Sequence, residues 1–361
     1  MNIWELAEKK VQENRNKRST TMSENESYIF QKEKKESIES YIIVAGSPKT
    51  GKTTYLNRFL EKNESLNSTI ILEYSFGYRI RDTSKDIIHI WELSSDVNLS
   101  PLVQVPFIEE HLNKNIGFFI VIDLTKPETI WSMIEEFINS GRKKIDNVID
   151  KGSSNFKNNL LQTSWERIGE KDVGSNSIIN PFPIPLYIIG AKYDIFQNED
   201  TEKRKNVSLC LRILNFLYGG CLIYSSINME NLLSRTKTML SHAAFKINYP
   251  KGIITDINKP LFVPFGSDSL ESIGSPSGKI ISSNSSFKEI FDEWKRFYNK
   301  MYPQKMSNIT KCDEILEDEK FAEPVIDILF EEKQNNLQRY IKENEEREAT
   351  LDRAHKNEFI F

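Results

Sequence analysis

The sequence is poor in the residues that build disulfide frameworks and metal centres. Its 361 residues include three cysteines and four histidines, and neither set shows a pairing pattern or a ligand spacing. We therefore expect neither a disulfide-stabilised fold nor a structural metal, and a reducing compartment is the natural setting. The residues concerned are Cys210, Cys221, Cys312, His89, His111, His242 and His355.

Long apolar runs and an excess of positive charge are also missing. The longest apolar run, Ile116 to Ile122, is far shorter than the ~20 residues that a membrane-spanning helix needs. The formal charge of -4 argues against a general nucleic-acid-binding protein, which usually carries a strong basic excess. The first residues, Met1 to Glu5, lack the basic and apolar regions of a secretory signal. We expect a soluble intracellular protein with no nucleic-acid partner and no membrane insertion.

What the sequence does contain is an alternation of short apolar segments with helical ones. Helical patterns such as Thr129 to Asn139 and Glu202 to Tyr218 separate segments of strand-forming residues. This alternation predicts an α/β fold with a doubly wound, mostly parallel sheet. The predicted strands are 41–45, 87–93, 116–124, 186–190 and 221–224.

Composition divides the chain into three parts. The first, 1–39, combines a short amphipathic helix over about 3–14 with a polar, flexible connector. The second, 40–262, is the α/β domain, and its polar stretch at about 140–185 is too long for an ordinary connection. We interpret that stretch as an insertion with some helix of its own. The third part, 263–361, contains a loop, an amphipathic helix and a charged helical tail.

Two helices are predicted in the third part. Ser286 to Tyr302 begins with a capping-box pair, Ser286 and Glu289, and its apolar stripe is expected to pack on the domain. The charged segment from Ala322 to about Arg353 has Pro324 in its first turn. Because its apolar residues are sparse, we expect this tail to be solvated or docked on a partner. The stripe of the first helix consists of Phe287, Ile290, Phe291, Trp294, Phe297 and Tyr298.

The strongest signal is a phosphate-binding loop between the first predicted strand and a helix. Residues 46–53 fit the pattern G-x-x-x-x-G-K-[ST]. In such a loop, backbone N–H groups face the phosphates, Lys52 reaches the β- and γ-phosphates, and Thr53 ligates Mg²⁺. A glycine-rich turn without a ligand is the alternative. The predicted nucleotide-binding residues here are Gly46, Ser47, Pro48, Lys49, Thr50, Gly51, Lys52, Thr53 and Thr54.

The hydrolysis motif departs from that of working Ras-like GTPases. There an Asp holds Mg²⁺ through water, a Gly senses the γ-phosphate and a Gln orients the attacking water. Glu92, Ser95 and Asp96 stand at these three positions. Glu92 is still long enough to reach the metal, whereas Asp96 cannot both donate and accept hydrogen bonds as an amide does. We predict that self-catalysed turnover is slow or absent.

The base-reading motif N-K-x-D is only partly kept. Lys192 and Asp194 are present and Ala191 takes the Asn position, although an ordinary strand–loop junction is an alternative interpretation. Asp194 favours guanine, so the expected cofactor is GTP or GDP with Mg²⁺. Thr53 and Glu92 are the predicted ligands of the Mg²⁺. We do not expect the protein to require a bound nucleotide. Ser225 and Ser226 lie where the last base-contacting loop belongs, but a pair of serines after a strand is weak evidence for guanine binding. The sequence does not identify a switch-I threonine.

Several segments resemble the light intermediate chains of cytoplasmic dynein. The resemblance is greatest to the form in dynein 2, the motor of retrograde intraflagellar transport, and runs from Trp4 to about Tyr340. The short tail also favours that form over the dynein 1 form. The segments that carry the resemblance are 3–7, the phosphate loop, 72–79, 85–93, 121–127, 194–197, 202–205, 258–262, 268–269 and 273–276.

This resemblance implies a Ras-like P-loop domain with helical N- and C-terminal extensions. It implies a non-catalytic subunit that binds and stabilises the dynein 2 heavy chain in retrograde intraflagellar transport and cilium assembly. The implied partners also include other dynein 2 subunits and intraflagellar transport particles, in the cytoplasm, cytoskeleton, cilium and basal body. Two alternatives stay open: an active or slow GTPase switch, and a dynein 1 light intermediate chain that links the motor to cargo.

Overall fold

The structure is a computed structural model of the chain. It describes residues 37–62, 69, 71–81, 84–94, 97–169, 178–250, 252–276, 286–304 and 324–358. The chain divides into two compact units, Met1–Ser307 and Asn308–Phe361. The predicted N-terminal helix, Ser95 and Asp96 all lie outside the described residues.

The centre of the larger unit is one sheet, which seven strands of the described residues form. The strands are β1 (Glu39–Gly46), β2 (Leu72–Arg81), β3 (Ser84–Leu93), β4 (Asn115–Asp123), β5 (Leu186–Ala191), β6 (Cys221–Tyr224) and β7 (Phe262–Val263). Their order is β2-β3-β1-β4-β5-β6-β7. The two outer pairs, β2 with β3 and β6 with β7, are antiparallel, and the inner pairs are parallel. The predicted doubly wound, mostly parallel sheet is confirmed.

Helices cover both faces of this sheet. The larger unit contains α1 (Lys52–Leu60), α2 (Glu109–Leu112), α3 (Pro127–Lys151), α4 (Ser154–Arg167), α5 (Tyr193–Phe196), α6 (Thr201–Leu217), α7 (Glu230–Phe245), α8 (Leu270–Ile273) and α9 (Phe287–Met301), with a 3₁₀ helix at Val97–Gln104. On one face α3, α6 and α9 pack over the sheet, and on the other face α1 and α7 do so. Because β1, β3, β4 and β5 run parallel to one another, their carboxyl ends meet at one edge of the sheet. Ligands bind at this edge in open α/β sheets.

The stretch predicted as an insertion begins inside a long helix. The helix α3 starts at Pro127 in its first turn and continues to Lys151, well past the predicted end at Asn139. Ile145 and Ile149 keep the apolar face of the helix buried over this extension. The following helix, α4, begins at a Ser153 cap and supplies the helix that we expected within the stretch.

The amphipathic helix after the sheet packs on the domain, as predicted. In α9 the Ser286 hydroxyl accepts a hydrogen bond from the Glu289 N–H, and the Glu289 carboxylate accepts one from the Ser286 N–H. Trp294 and Tyr298 are fully buried, and the Tyr298 hydroxyl donates to the Pro127 carbonyl over 2.8 Å. The helix therefore lies within the larger unit, which extends to Ser307.

The strand β2 was not among the predicted strands. It is an edge strand, and every second residue carries an exposed apolar side chain. We call this row the β2 face. It consists of Tyr74, Phe76, Tyr78 and Ile80, which are 46%, 60%, 57% and 71% exposed.

The smaller unit contains the predicted tail helix. The helix α10 (Pro324–Glu358) has Pro324 in its first turn, as expected, and extends five residues beyond the predicted end near Arg353. Its described apolar side chains are exposed. They are Val325, Ile328, Leu329, Leu337, Tyr340 and Ile341.

Candidate nucleotide site

The phosphate loop has the backbone that its glycines predict. Gly46 ends β1 at φ 139°, and Gly51 precedes α1 at φ 83°. A methyl group on Gly46 would lie 1.9 Å from the Val121 carbonyl oxygen, so only glycine fits there. Lys49 also takes a positive φ, 56°, which is uncommon for a residue with a side chain and marks a strained loop.

The side chain of Lys52 lies inside this loop. Its ammonium group donates to the carbonyl oxygens of Gly46 and Ser47, each at 3.2 Å. Burial lowers the pKa of Lys52 to about 8, and the nearby Glu92 carboxylate partly opposes that shift. The motif predicts that this ammonium group contacts phosphate oxygens when a nucleotide binds, and that contact stays a prediction.

Thr53 and Glu92 meet where the motif requires a metal. The Thr53 hydroxyl donates to the Glu92 carboxylate over 2.7 Å, and Glu92 is opposite Val44 near the end of β1. Burial raises the pKa of Glu92, although the bond from Thr53 and the charge of Lys52 oppose this shift. Oxygen ligands of this kind suit Mg²⁺. The structure therefore brings the two predicted metal ligands together, and metal binding stays a prediction.

Thr69 lies beside Glu92, a placement that the sequence did not predict. It lies three residues before Leu72, where β2 begins, and its hydroxyl donates to the Glu73 carboxylate over 3.2 Å. Glu73 pairs with Glu92 across the β2–β3 ladder, and Thr69 also interacts with Glu92. Because it lies ahead of the second strand and beside the two predicted metal ligands, Thr69 is a candidate for the switch-I threonine. The signal was available only once β2 was known.

The remaining loop residues divide by exposure. Pro48 and Lys49 are exposed, whereas Ser47 and Thr50 are buried. The Ser47 N–H donates to the Val121 carbonyl oxygen over 2.8 Å, and the Thr50 hydroxyl donates to the Ser47 carbonyl over 2.9 Å. The first bond joins the loop to β4, and the second links two residues of the loop to each other.

The base-reading residues lie at the same edge of the sheet, after β5. Lys192 has a positive φ of 63°, and its ammonium group pairs with the Asp123 carboxylate over 2.6 Å. Asp194 accepts hydrogen bonds from the Ser226 hydroxyl at 2.6 Å and the Asn228 amide at 2.8 Å. Burial acts to raise the pKa of Asp194, but these two bonds together with backbone hydrogen bonds at Asp194 and Ile195 outweigh it, and the pKa is lowered. The carboxylate is thus ionised and oriented.

The predicted site residues therefore converge, with two exceptions. Residues 46–54, Glu92, Lys192 and Asp194 all lie at the carboxyl edge of the sheet. Ser95 and Asp96 lie outside the described residues, so the hydrolysis motif beyond Glu92 has no structural account. The fold and this site define a class of protein: a Ras-like α/β domain with a phosphate-binding loop. Among the described residues, no group of His, Cys, Asp and Glu could hold a metal by itself.

Comparison with known proteins identifies the family. No protein-family model matches the chain. The cytoplasmic dynein 2 light intermediate chain 1 of Danio rerio is 34% identical over 345 residues, which cover 94% of each chain. The protein of the same name from Homo sapiens is 33% identical over 350 residues, again 94% of each. The chain belongs to the cytoplasmic dynein 2 light intermediate chain family.

A solved structure supports the fold. The crystal structure of the dynein light intermediate chain's conserved domain superposes with a TM-score of 0.51 and 16% sequence identity. The match covers 80% of this chain and 99% of that one. Among the helices that the structure describes, none is long and apolar enough to cross a membrane.

Proposed function

We propose that the chain is a non-catalytic subunit of cytoplasmic dynein 2 that binds and stabilises the dynein heavy chain. In this role it serves retrograde intraflagellar transport and cilium assembly, in the cytoplasm, the cytoskeleton, the cilium and its basal body. Other dynein 2 subunits and intraflagellar transport particles are the remaining partners. The observation that carries the proposal is the family membership, which extends over nearly the whole chain.

The β2 face supports a role in an assembly. An edge strand that exposes a row of large apolar side chains is an aggregation hazard in a free monomer. The four side chains of the β2 face alternate with Ser75, Gly77 and Arg79, so they lie on one side of the sheet. A permanent partner removes that hazard by covering the row. We assign the heavy chain to this surface.

The composition of the site supports binding without turnover. Lys52, Thr53 and Glu92 would hold the phosphates and Mg²⁺ of GTP or GDP, and the metal would neutralise phosphate charge when bound. Ser95 and Asp96 replace the residues that sense the γ-phosphate and orient water. A nucleotide held in this way raises the free energy of unfolding by mass action and needs no chemistry.

A GTPase switch is the second candidate, and one observation favours it. Thr69 lies beside Glu73 and Glu92, where a switch threonine is expected, so a γ-phosphate contact is available in principle. The dynein 1 alternative lacks such support, because the relatives are named for dynein 2.

Recovery of the tagged full chain from ciliated cells tests the leading proposal. We expect the dynein 2 heavy chain to co-purify with it. Recovery of small-GTPase regulators without any dynein heavy chain would contradict the proposal. A GTP turnover assay on the purified chain tests the second candidate, with Lys52→Ala as the control. Turnover that the substitution abolishes would favour the switch.

A further inference from the structure

The loop between β6 and α7 is tightly held. The Thr236 hydroxyl donates to Ser225 over 2.7 Å, and the Asn228 N–H donates to the Ser226 hydroxyl oxygen over 3.1 Å. Ser226 and Asn228 also hold the two carboxylate oxygens of Asp194. The residue between them, Ile227, is therefore fixed in place by its neighbours.

The side chain of Ile227 reaches from this loop to the phosphate loop. A methyl group built on Gly51 would lie 2.2 Å from the Cδ1 atom of Ile227 and 3.8 Å from the Cβ atom of Thr54. Ile227 thus packs directly on the residue that precedes α1, and the first turn of α1 is the turn that faces phosphate. A single apolar side chain connects the phosphate-binding half of the site with the Asp194 half.

The surroundings of Ile227 are apolar too. Ala191, which takes the place of an amide side chain in the base-reading motif, is fully buried in the same cluster against which Ile227 packs. Tyr55 of α1 belongs to that cluster, and burial raises the pKa of its hydroxyl to about 12. Neither Ala191 nor Ile227 offers a side-chain hydrogen bond to a purine, and the side chain of Ile227 runs from the loop that holds Asp194 to Gly51.

We propose that Ile227 keeps the affinity of this site for guanine nucleotides low. A nucleotide that uses both halves must pass its ribose and base across the space that the Ile227 side chain fills. Inorganic pyrophosphate needs only the phosphate loop. The site of this chain therefore takes diphosphate groups almost as well without a nucleoside as with one. The inference deepens the proposed function and rests on its claim that residues 46–54 bind phosphate.

Isothermal titration calorimetry on the purified full chain tests this inference with two ligands, MgGDP and Mg-pyrophosphate. In the unmodified chain we expect the two dissociation constants to agree within about tenfold. Ile227→Ala is expected to tighten GDP binding at least tenfold, or about 1.4 kcal/mol, and to leave pyrophosphate binding within twofold. Ile227→Val, which removes one methyl group and keeps the fold, should give an intermediate gain.

Ile195→Ala is the matched control, because Ile195 is adjacent to Asp194 and is 52% exposed. It should change neither dissociation constant. Unchanged or weaker GDP binding by both Ile227 variants, with pyrophosphate still bound, would overturn the role of Ile227 alone. Absence of pyrophosphate binding in every variant would overturn the phosphate-binding claim and this inference together.

Discussion

The phosphate loop and the β2 face are opposite kinds of surface on one sheet. In the loop, Lys52 and Thr53 are held by carbonyl and carboxylate oxygens, and Gly46 is pressed against the neighbouring strand. On the β2 face, four large apolar side chains are exposed. The polar side chains Lys52 and Thr53 of the loop therefore have hydrogen-bond partners within the protein, whereas the apolar side chains of the β2 face are exposed.

This difference bears on function. Sites that carry out chemistry usually combine the cradle with residues poised to act on the substrate. Here the sequence changes those residues, at Ser95 and Asp96, and keeps the cradle. The exposed apolar row points instead to assembly. We therefore place the function of the chain in what it binds with its surface, and we regard the loop as a source of stability.

The largest expected effect is on the loop. Gly46→Ala places a methyl group 1.9 Å from the Val121 carbonyl at a positive φ, so β1 and β4 must separate. We expect the free energy of unfolding to fall by roughly 2–4 kcal/mol, measured by urea denaturation. Gly252→Ala is the control, because its added methyl group meets nothing within 4 Å. Equal stability of the two variants would show that the loop is not packed as described.

The next effect concerns the β2 face. Phe76→Thr combined with Ile80→Thr removes two exposed apolar side chains and keeps strand-forming residues. We expect heavy-chain recovery to fall about tenfold, or ~1.4 kcal/mol, while the urea midpoint stays unchanged. The control is Val105→Thr combined with Ile253→Thr, which removes two exposed apolar side chains elsewhere, 49% and 45% exposed. If both double variants recover the heavy chain equally, the β2 face is not the contact surface.

The smallest effect comes from a polar cluster at the amino-terminal end of β1. Glu39 accepts hydrogen bonds from Lys114 at 2.9 Å and Tyr41 at 2.7 Å, and these bonds lower its pKa to about 2. Because the pKa is lower in the folded state than in the unfolded one, the contribution is present above about pH 4.5 and is lost as the pH falls towards 2.

Glu39→Gln should therefore lower stability at pH 7 by less than ~1 kcal/mol, since the group is partly exposed. The difference from the unmodified chain should shrink at pH 3, as measured by urea denaturation at both pH values. A constant difference would mean that the charge of Glu39 contributes nothing.

The sequence predicted the features that depend on local patterns. The phosphate loop, the capping box of Ser286 and Glu289, and the convergence of Lys192 and Asp194 at the sheet edge follow from motifs with fixed spacing. The strict alternation of apolar residues from Leu72 to Ile80 also predicts a strand. The predicted strands do not include it because they are continuous apolar runs, which mark strands buried on both faces.

Other features depend on which distant segments become neighbours. The position of Thr69 near Glu92 becomes apparent only when β2 pairs with β3 and brings Glu73 opposite Glu92. The contact of Ile227 with the phosphate loop becomes apparent only when the loop after β6 packs on Gly51, which lies 176 residues earlier in the chain. Long-range packing of this kind has no local signature, so neither residue could be assigned from spacing alone.

The central claim is that the chain acts by binding the heavy chain and not by turning over a nucleotide. The most direct measurement compares heavy-chain recovery by the full-length chain and by its Lys52→Ala variant in ciliated cells, at matched expression. The account predicts that both recover the dynein 2 heavy chain to the same extent, within about twofold. Loss of the heavy chain from a folded Lys52→Ala variant, together with GTP turnover by the unmodified chain, would contradict it.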